Sequence, residues 1–158
     1  MGGVDIDITF RDLQPVDLPA IEWTGSATHL EFVEGLLPKH WAGEEDLLVG
    51  ELPNGMIVAF GAVNYAAAPD AGELWMLSTH PAWQSLGIGR RLIEALEQRI
   101  RQQGAPYAQL NVEHDNPRAA SLYRRLGYET FASGIEHWGL DSGQTYVTVV
   151  ARMRKALD

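Results

Sequence analysis

The sequence contains no cysteine, which excludes disulfides, thiolate metal ligands and a cysteine nucleophile. Long apolar runs are also missing: none approaches the ~20 residues that a membrane-spanning helix needs. Met1-Gly2-Gly3 leads into acidic Asp5 and Asp7, unlike a signal peptide, so a cytoplasmic protein with no membrane partner is expected. Positive charge is scarce. Lys and Arg number 12 against 21 Asp and Glu, and the net charge of −9 argues against nucleic acid, whose binding depends on neutralising phosphates. Such a surface favours cationic partners, amines among them. The remaining composition, 46% apolar and 21% charged, is that of a soluble globular chain. Its 158 residues are one domain's worth, so 1–158 reads as a single domain with a proper core.

The most organised stretch runs from Leu74 to Gln103. A mostly apolar run (Leu74 to Leu77) feeds a glycine turn (Gln84 to Gly89), which opens an amphipathic helix. Leu92, Ile93, Leu96 and Ile100 share one helical face. Arg90, Arg91, Glu94, Arg99 and Arg101 take the other, with Glu97 placed to pair with Arg101 four residues on. Gly104 and Pro106 stop the helix. Glycines let the backbone approach a ligand closely, and the first helical amides have no partners within the helix, so the turn can hold a phosphate. A nucleotide-triphosphatase loop would need Gly-Lys-Ser/Thr, but Gly89 is followed by Arg90 and Arg91. A dinucleotide fingerprint would need a third glycine where Leu92 stands. Alone, the turn is equally readable as a simple strand-to-helix connection.

Around this stretch, Ile6 to Arg11 alternates as a first strand. Residues 15–40 read as one or two short helices, with Ser26 as an N-cap. Pro53-Asn54-Gly55 marks a hairpin between Asp46–Glu51 and Met56–Tyr65, and Ala66–Gly72 reads as a loop before the fourth strand. Tyr107–Glu113 is a fifth strand. Asn116 caps a helix with Pro117 at its first position, Leu122 and Leu126 on its core face and Gly127 at its end. A sixth strand begins at Tyr128–Ala132, and Tyr146–Met153 is the last. The order β-α-α-β-β-β-α-β-α-β-β predicts an α/β (α+β) fold: a mixed central sheet with helices on both faces.

Gln84-Ser85-Leu86-Gly87-Ile88-Gly89 resembles the Gln/Arg-x-x-Gly-x-Gly/Ala signature of the GNAT superfamily of N-acetyltransferases. Leu77-Ser78-Thr79-His80-Pro81 is similar to that family's fourth strand and the turn after it. About thirty residues on, Asn116 to Tyr128 is similar to its second motif. The resemblance covers roughly residues 46 to 133. It implies the GNAT fold and an N-acetyltransferase that moves an acetyl group directly from acetyl-CoA, its co-substrate, to a primary amine of a small molecule or peptide, without a metal. A non-catalytic acyl-CoA-binding or regulatory domain is the alternative. A homodimer is compatible with either.

The resemblance also implies roles. Ser85, Leu86, Gly87, Ile88, Gly89 and Arg90 would hold the coenzyme diphosphate, and Leu77, Ser78 and Thr79 its pantetheine arm, one of their amides facing the thioester carbonyl. Asn116 would bond the arm besides capping its helix. Tyr123 matches the tyrosine assigned as general acid. A phenol at pKa ~10 stays protonated at neutral pH and can donate to a thiolate whose acid sits near 8.5. Glu73 matches the family's glutamate base, with Glu113 and His114 as further candidates. Relatives that acetylate protein N-termini carry a glutamate at the position of Asn111, which cannot take a proton. Trp23, His29, Trp41 and Trp138 fall where acceptor walls usually lie. Strand alternation predicts Glu73, Trp75, Leu77 and Thr79 on one face, with Glu73 about 13 Å from Leu77, so a water relay is expected rather than direct proton abstraction.

Overall fold

The computed structural model describes residues 5–158. Seven strands form one sheet: β1 (Thr9–Asp12), β2 (Glu45–Glu51), β3 (Ile57–Ala68), β4 (Ala71–Thr79), β5 (Tyr107–Glu113), β6 (Glu129–Gly139) and β7 (Thr145–Ala156), in the spatial order β1-β2-β3-β4-β5-β7-β6. Neighbours are antiparallel except β4 and β5, which run parallel because helix α2 (Ile88–Gln103) carries the chain back between them. A 3-10 segment (Pro15–Thr24) and helix α1 (Ala27–Trp41) precede β2, and helix α3 (Pro117–Arg125) lies between β5 and β6.

Each face of the sheet has its own core. On one, Leu92, Ile93, Leu96 and Ile100 of α2 pack with Val63, Leu74, Leu110 and Met153. On the other, Val33, Leu36 and Leu37 of α1 meet Leu47, Val49 and Phe60. Helices therefore cover both faces, as the order of elements predicts. Burying each of these side chains contributes roughly 1.5–3 kcal/mol. Beyond α3 the sheet runs on uncovered, leaving Ile135, Val147 and Val149 exposed on the β6–β7 ribbon.

Local readings need five corrections. The predicted loop at Ala66–Gly72 is a tight hairpin: β3 runs to Ala68, β4 starts at Ala71, and those two residues pair across Pro69 and Asp70. Small residues looked like loop, but here they let two strands turn. The first strand begins at Thr9 rather than Ile6. On α3 the core contacts come from Ala119, Ala120, Tyr123 and Leu126, while Leu122 is half-buried away from them. The expected pair of Glu97 with Arg101 is absent. Glu97 is buried, accepting from the Tyr128 hydroxyl at 2.7 Å and from Lys155 at 3.1 Å, and Arg101 meets Asp158 instead. Finally, β4 does not alternate along its whole length.

That last departure shapes the centre of the molecule. Trp75 pairs with Ala62 and Ser78 with Phe60, so Met76 and Leu77 together oppose the single residue Gly61. This is a β-bulge, and Met76 takes a positive φ of 55° to make it. The extra residue flips the strand. Trp75 and Met76 pack on the α1 side, whereas Leu77 joins the core under α2. The predicted face shared by Glu73, Trp75, Leu77 and Thr79 is thus broken between Trp75 and Leu77.

Candidate active site

Pairing of β4 with β5 stops at Glu73 and Gln109. Past that point the two strands part, and a cleft of about 1090 Å³ opens between them. Trp75, Met76 and Leu77 form its β4 wall, and Leu110, Asn111 and Glu113 its β5 wall. Tyr123 closes one side from α3, His29 and Phe32 border it from α1, and Glu136, His137 and Trp138 from β6.

Glu73 lies at the root of this wedge. Its Oε1 accepts from the Gln109 side chain at 3.1 Å, and Gln109 in turn accepts from Arg154 at 2.8 Å, which forks onto Asp70 at 3.1 and 3.2 Å. Among the described residues its second oxygen has no partner, and Glu73 is part of the cleft lining. Tyr123 packs edge-on against Tyr128, ring centroids 6.3 Å apart, and its hydroxyl has no protein partner among the described residues. Burial pushes the Tyr123 phenol further up from its ordinary value. It therefore keeps its proton at any working pH.

The cleft is acidic. Glu73, Glu113, Glu136 and Asp141 line it, and among the described residues no Lys or Arg does. Glu136 is offset by Arg152 at 3.4 Å, which also reaches Asn111 at 3.1 Å. Among the described residues Glu113 accepts only from the Tyr146 hydroxyl, at 3.2 Å. Burial lowers the His29 imidazole from its ordinary value, so it stays neutral near pH 7.

The glycine turn lies beyond the far end of β4. Ser85 (φ 66°) and Gly87 (φ 79°) both adopt left-handed backbone, and Gly87 is the residue before α2. Arg91 is the first residue of the turn whose amide finds an acceptor, the Gly87 carbonyl at 3.3 Å; among the described residues the amides from Ser85 to Arg90 have none. A Cβ at Gly87 would meet nothing within 4 Å, and one at Gly89 would meet only Thr79 Oγ1, at 3.8 Å. Six free amides around open space at the start of a 16-residue helix form a cradle that fits a diphosphate.

Of the residues singled out from sequence, Tyr123, Glu73, Leu77, Glu113, His29 and Trp138 border the cleft. Ser78 and Thr79 continue β4 toward the cradle, with the Ser78 hydroxyl turned back onto the Met76 carbonyl at 3.3 Å. Asn116 spends its side-chain oxygen on the Ala119 amide at 3.1 Å as the α3 cap. His114 is exposed, Trp23 packs against His80 at 5.3 Å, and Trp41 points to solvent, so none of these three lines the cleft. Sequence reasoning missed Phe32, Trp75 and Glu136. Phe32 sits three residues after His29 on α1, a spacing that could have revealed it. Trp75 shares the side of Glu73 by plain strand alternation, and that relation could have revealed it.

Among the described residues no group of three or more His, Asp or Glu could hold a metal ion. No helix among them is long and apolar enough to cross a membrane.

Comparisons with known proteins bear on the fold and the family. A spermidine N-acetyltransferase from Vibrio cholerae, solved with CoA and spermine, superposes with a TM-score of 0.72 at 23% identity, covering 94% of this chain and 95% of that one. The ribosomal-protein-S18-alanine N-acetyltransferase from Escherichia coli gives 0.71 at 21% identity, over 96% and 95%. A putative acetyltransferase from Acinetobacter baylyi ADP1 gives 0.75 at 12%, over 99% and 96%. At these identities the likeness establishes the fold. Sequence decides the family: the model of the Acetyltransferase (GNAT) family matches residues 14–128, and the chain belongs to that family.

Proposed function

We propose that the chain is an acetyl-CoA-dependent N-acetyltransferase that passes an acetyl group directly to a primary amine, and that residues 1–158 act as one transferase domain. The observation that carries this reading is the wedge between β4 and β5, with an amide cradle beyond one end and protonated Tyr123 on its side. Bound acetyl-CoA would supply an activated thioester carbonyl. The amides of Ser85, Leu86, Gly87, Ile88, Gly89 and Arg90 bind the diphosphate, and the backbone of Leu77, Ser78 and Thr79 orients the pantetheine arm. Asn116 supports the arm from the α3 cap with its remaining amide group. Tyr123 holds a proton at Oη for the leaving thiolate. Glu73 takes the amine proton through water, steadied by Gln109.

Three carboxylates without an ion partner, Glu73, Glu113 and Asp141, favour a cationic acceptor. A lysine-like amine at pKa ~10.4 needs roughly 4–5 kcal/mol to be neutral at pH 7, so the base matters. The named relatives act on spermidine and on a ribosomal-protein alanine. Asn111, tied to Glu136 at 2.9 Å, supplies no proton acceptor, which weighs toward a small amine over a protein N-terminus.

Calorimetry with acetyl-CoA, followed by an amine screen for CoA release, tests this reading. Ligand at a hundred times its dissociation constant should stabilise the fold by about 2.7 kcal/mol. Gly87→Glu should abolish binding, since it places a carboxylate in the cradle. Its side chain enters open space, so the cost to the fold is the strain of a left-handed φ, about 1–2 kcal/mol, and circular dichroism should show the variant folded. Undiminished binding in that variant would overturn the cradle. Binding with no CoA release to any amine would favour a non-catalytic acyl-CoA-binding domain.

A further inference from the structure

We propose that Glu45 is a positioning residue of the acceptor cleft: its buried carboxylate fixes the Trp75 indole in the cleft wall and, once ionised, turns that ring into a stronger cation-binding face. This rests on the reading of the cleft as the acceptor site.

Glu45 opens β2 and is 3% exposed. It faces Asn64 across β2–β3, and Asn64 faces Glu73 across β3–β4, so these polar residues form a row across the sheet on the α1 side. A carboxylate so deeply buried ordinarily has a cationic partner. Among the described residues Glu45 has no ion pair. Its one side-chain contact of hydrogen-bond length is with Trp75, whose indole Nε1 donates to Oε2 at 3.3 Å. Trp75 borders the cleft, and Phe32 packs edge-on against it at 5.7 Å and 74°. The indole is thereby gripped from behind by an acid and from the side by a phenyl ring, immediately before the bulge at Met76.

A ring whose N–H donates to an anion is richer in electron density, and cations bind the faces of electron-rich indoles. The anion also acts directly through a poorly polarisable wall. Burial pushes the Glu45 carboxyl up to about 7, so its charge changes across the neutral range. The titratable groups that act on it through space are Lys39 of α1, Asp46 of β2, Tyr65 of β3 and Glu73 of β4, and His40 of α1 touches its backbone carbonyl at 3.3 Å. Lys39 favours the ionised form, while Asp46 and Glu73 oppose it.

Indole NMR on the intact, ¹⁵N-labelled protein tests the proposal with tetramethylammonium as the cationic probe and without acetyl-CoA. Five tryptophans give five indole N–H signals, and Trp75→Phe identifies the one that matters. That signal should titrate with a midpoint near pH 7 in the unaltered protein and lose this titration in Glu45→Gln, which keeps an oxygen to accept the bond. Tetramethylammonium should shift the signal at pH 8.5, with an affinity on the order of tenfold weaker in Glu45→Gln. A pH-independent Trp75 signal in the unaltered protein would overturn the proposal even if the variant failed to fold. Equal probe affinity in the two proteins at pH 8.5 would overturn it as well. Failure of acetyl transfer to every amine would remove the transferase reading and leave this outcome standing.

Discussion

Three side chains concentrate the chemistry. Tyr123 combines a protonated hydroxyl, a place on the cleft and a ring anchored on Tyr128. Tyr123→Phe keeps that packing and removes only the donor. Turnover should fall on the order of 10²-fold with acetyl-CoA affinity nearly unchanged, as steady-state rates beside calorimetry would show. Glu73 relays a proton only while the amine carries one to lose. Glu73→Gln should therefore lower kcat/KM most below the pKa of the amine, and the loss should shrink as pH approaches it. A loss constant across the pH–rate profile would make Glu73 part of the acceptor wall instead. Glu45 contributes to stability with the opposite sign to a typical paired carboxylate. Its folded value, about 7, lies above the ordinary 4.5, so the folded state holds the proton more tightly. The sheet should then lose up to about 3 kcal/mol as pH rises from 4.5 through 7. Urea titrations at pH 5 and pH 8 should show a smaller drop for Glu45→Gln than for the unaltered protein.

Among the elements, α2 and β4 set the architecture, and both depend on glycines chosen for closeness. A Cβ at Gly72 would lie 2.6 Å from Ile100 Cγ1 and 2.8 Å from Val63 Cγ1, inside the contact that seats α2 on the sheet. Gly72→Ala should cost about 1–3 kcal/mol, a fall of several degrees in Tm measurable by circular dichroism. Gly61 does a related job in the bulge, where a Cβ would press on Leu96, Leu77 and Leu92 at 3.0 to 3.3 Å. The turn and the helix after it were readable in advance, because periodicity, caps and glycine spacing are local properties. The bulge was not. Two residues opposing one is a relation between β3 and β4, and neither strand states it alone. Gly61 inside an apolar run was the single hint. What depends on the bulge was hidden with it: the side on which Leu77 lies and the packing of Met76 beside Trp75.

At the scale of the whole molecule, the order of elements predicted a mixed sheet with helices on both faces, and that is the fold observed. The two motifs that carried the resemblance fall within the residues the family match spans. Less legible was the acceptor side. His29 and Phe32 come from α1 and Glu136 to Trp138 from β6, segments about a hundred residues apart that meet only because the parted strands leave room between them. Charge was a better guide there than motif: in a net −9 chain, the described residues line the cleft with four carboxylates and no Lys or Arg.

The placing of β7 between β5 and β6 has a consequence for how the protein is made. Strands β1 to β4 form a meander of sequential antiparallel neighbours, able to assemble while the chain is still leaving the ribosome. Strand β5 finds a short parallel partner in β4, but its other edge, and the whole of β6, must wait for a strand synthesised after both. Until then Leu110 and Val112 of β5 lack the cover of Met153 and Ala151, with which they pair. The β4–β5 wedge is thus among the last features to take shape, and a nascent chain stalled before Thr145 would expose an open β5 edge to neighbouring chains.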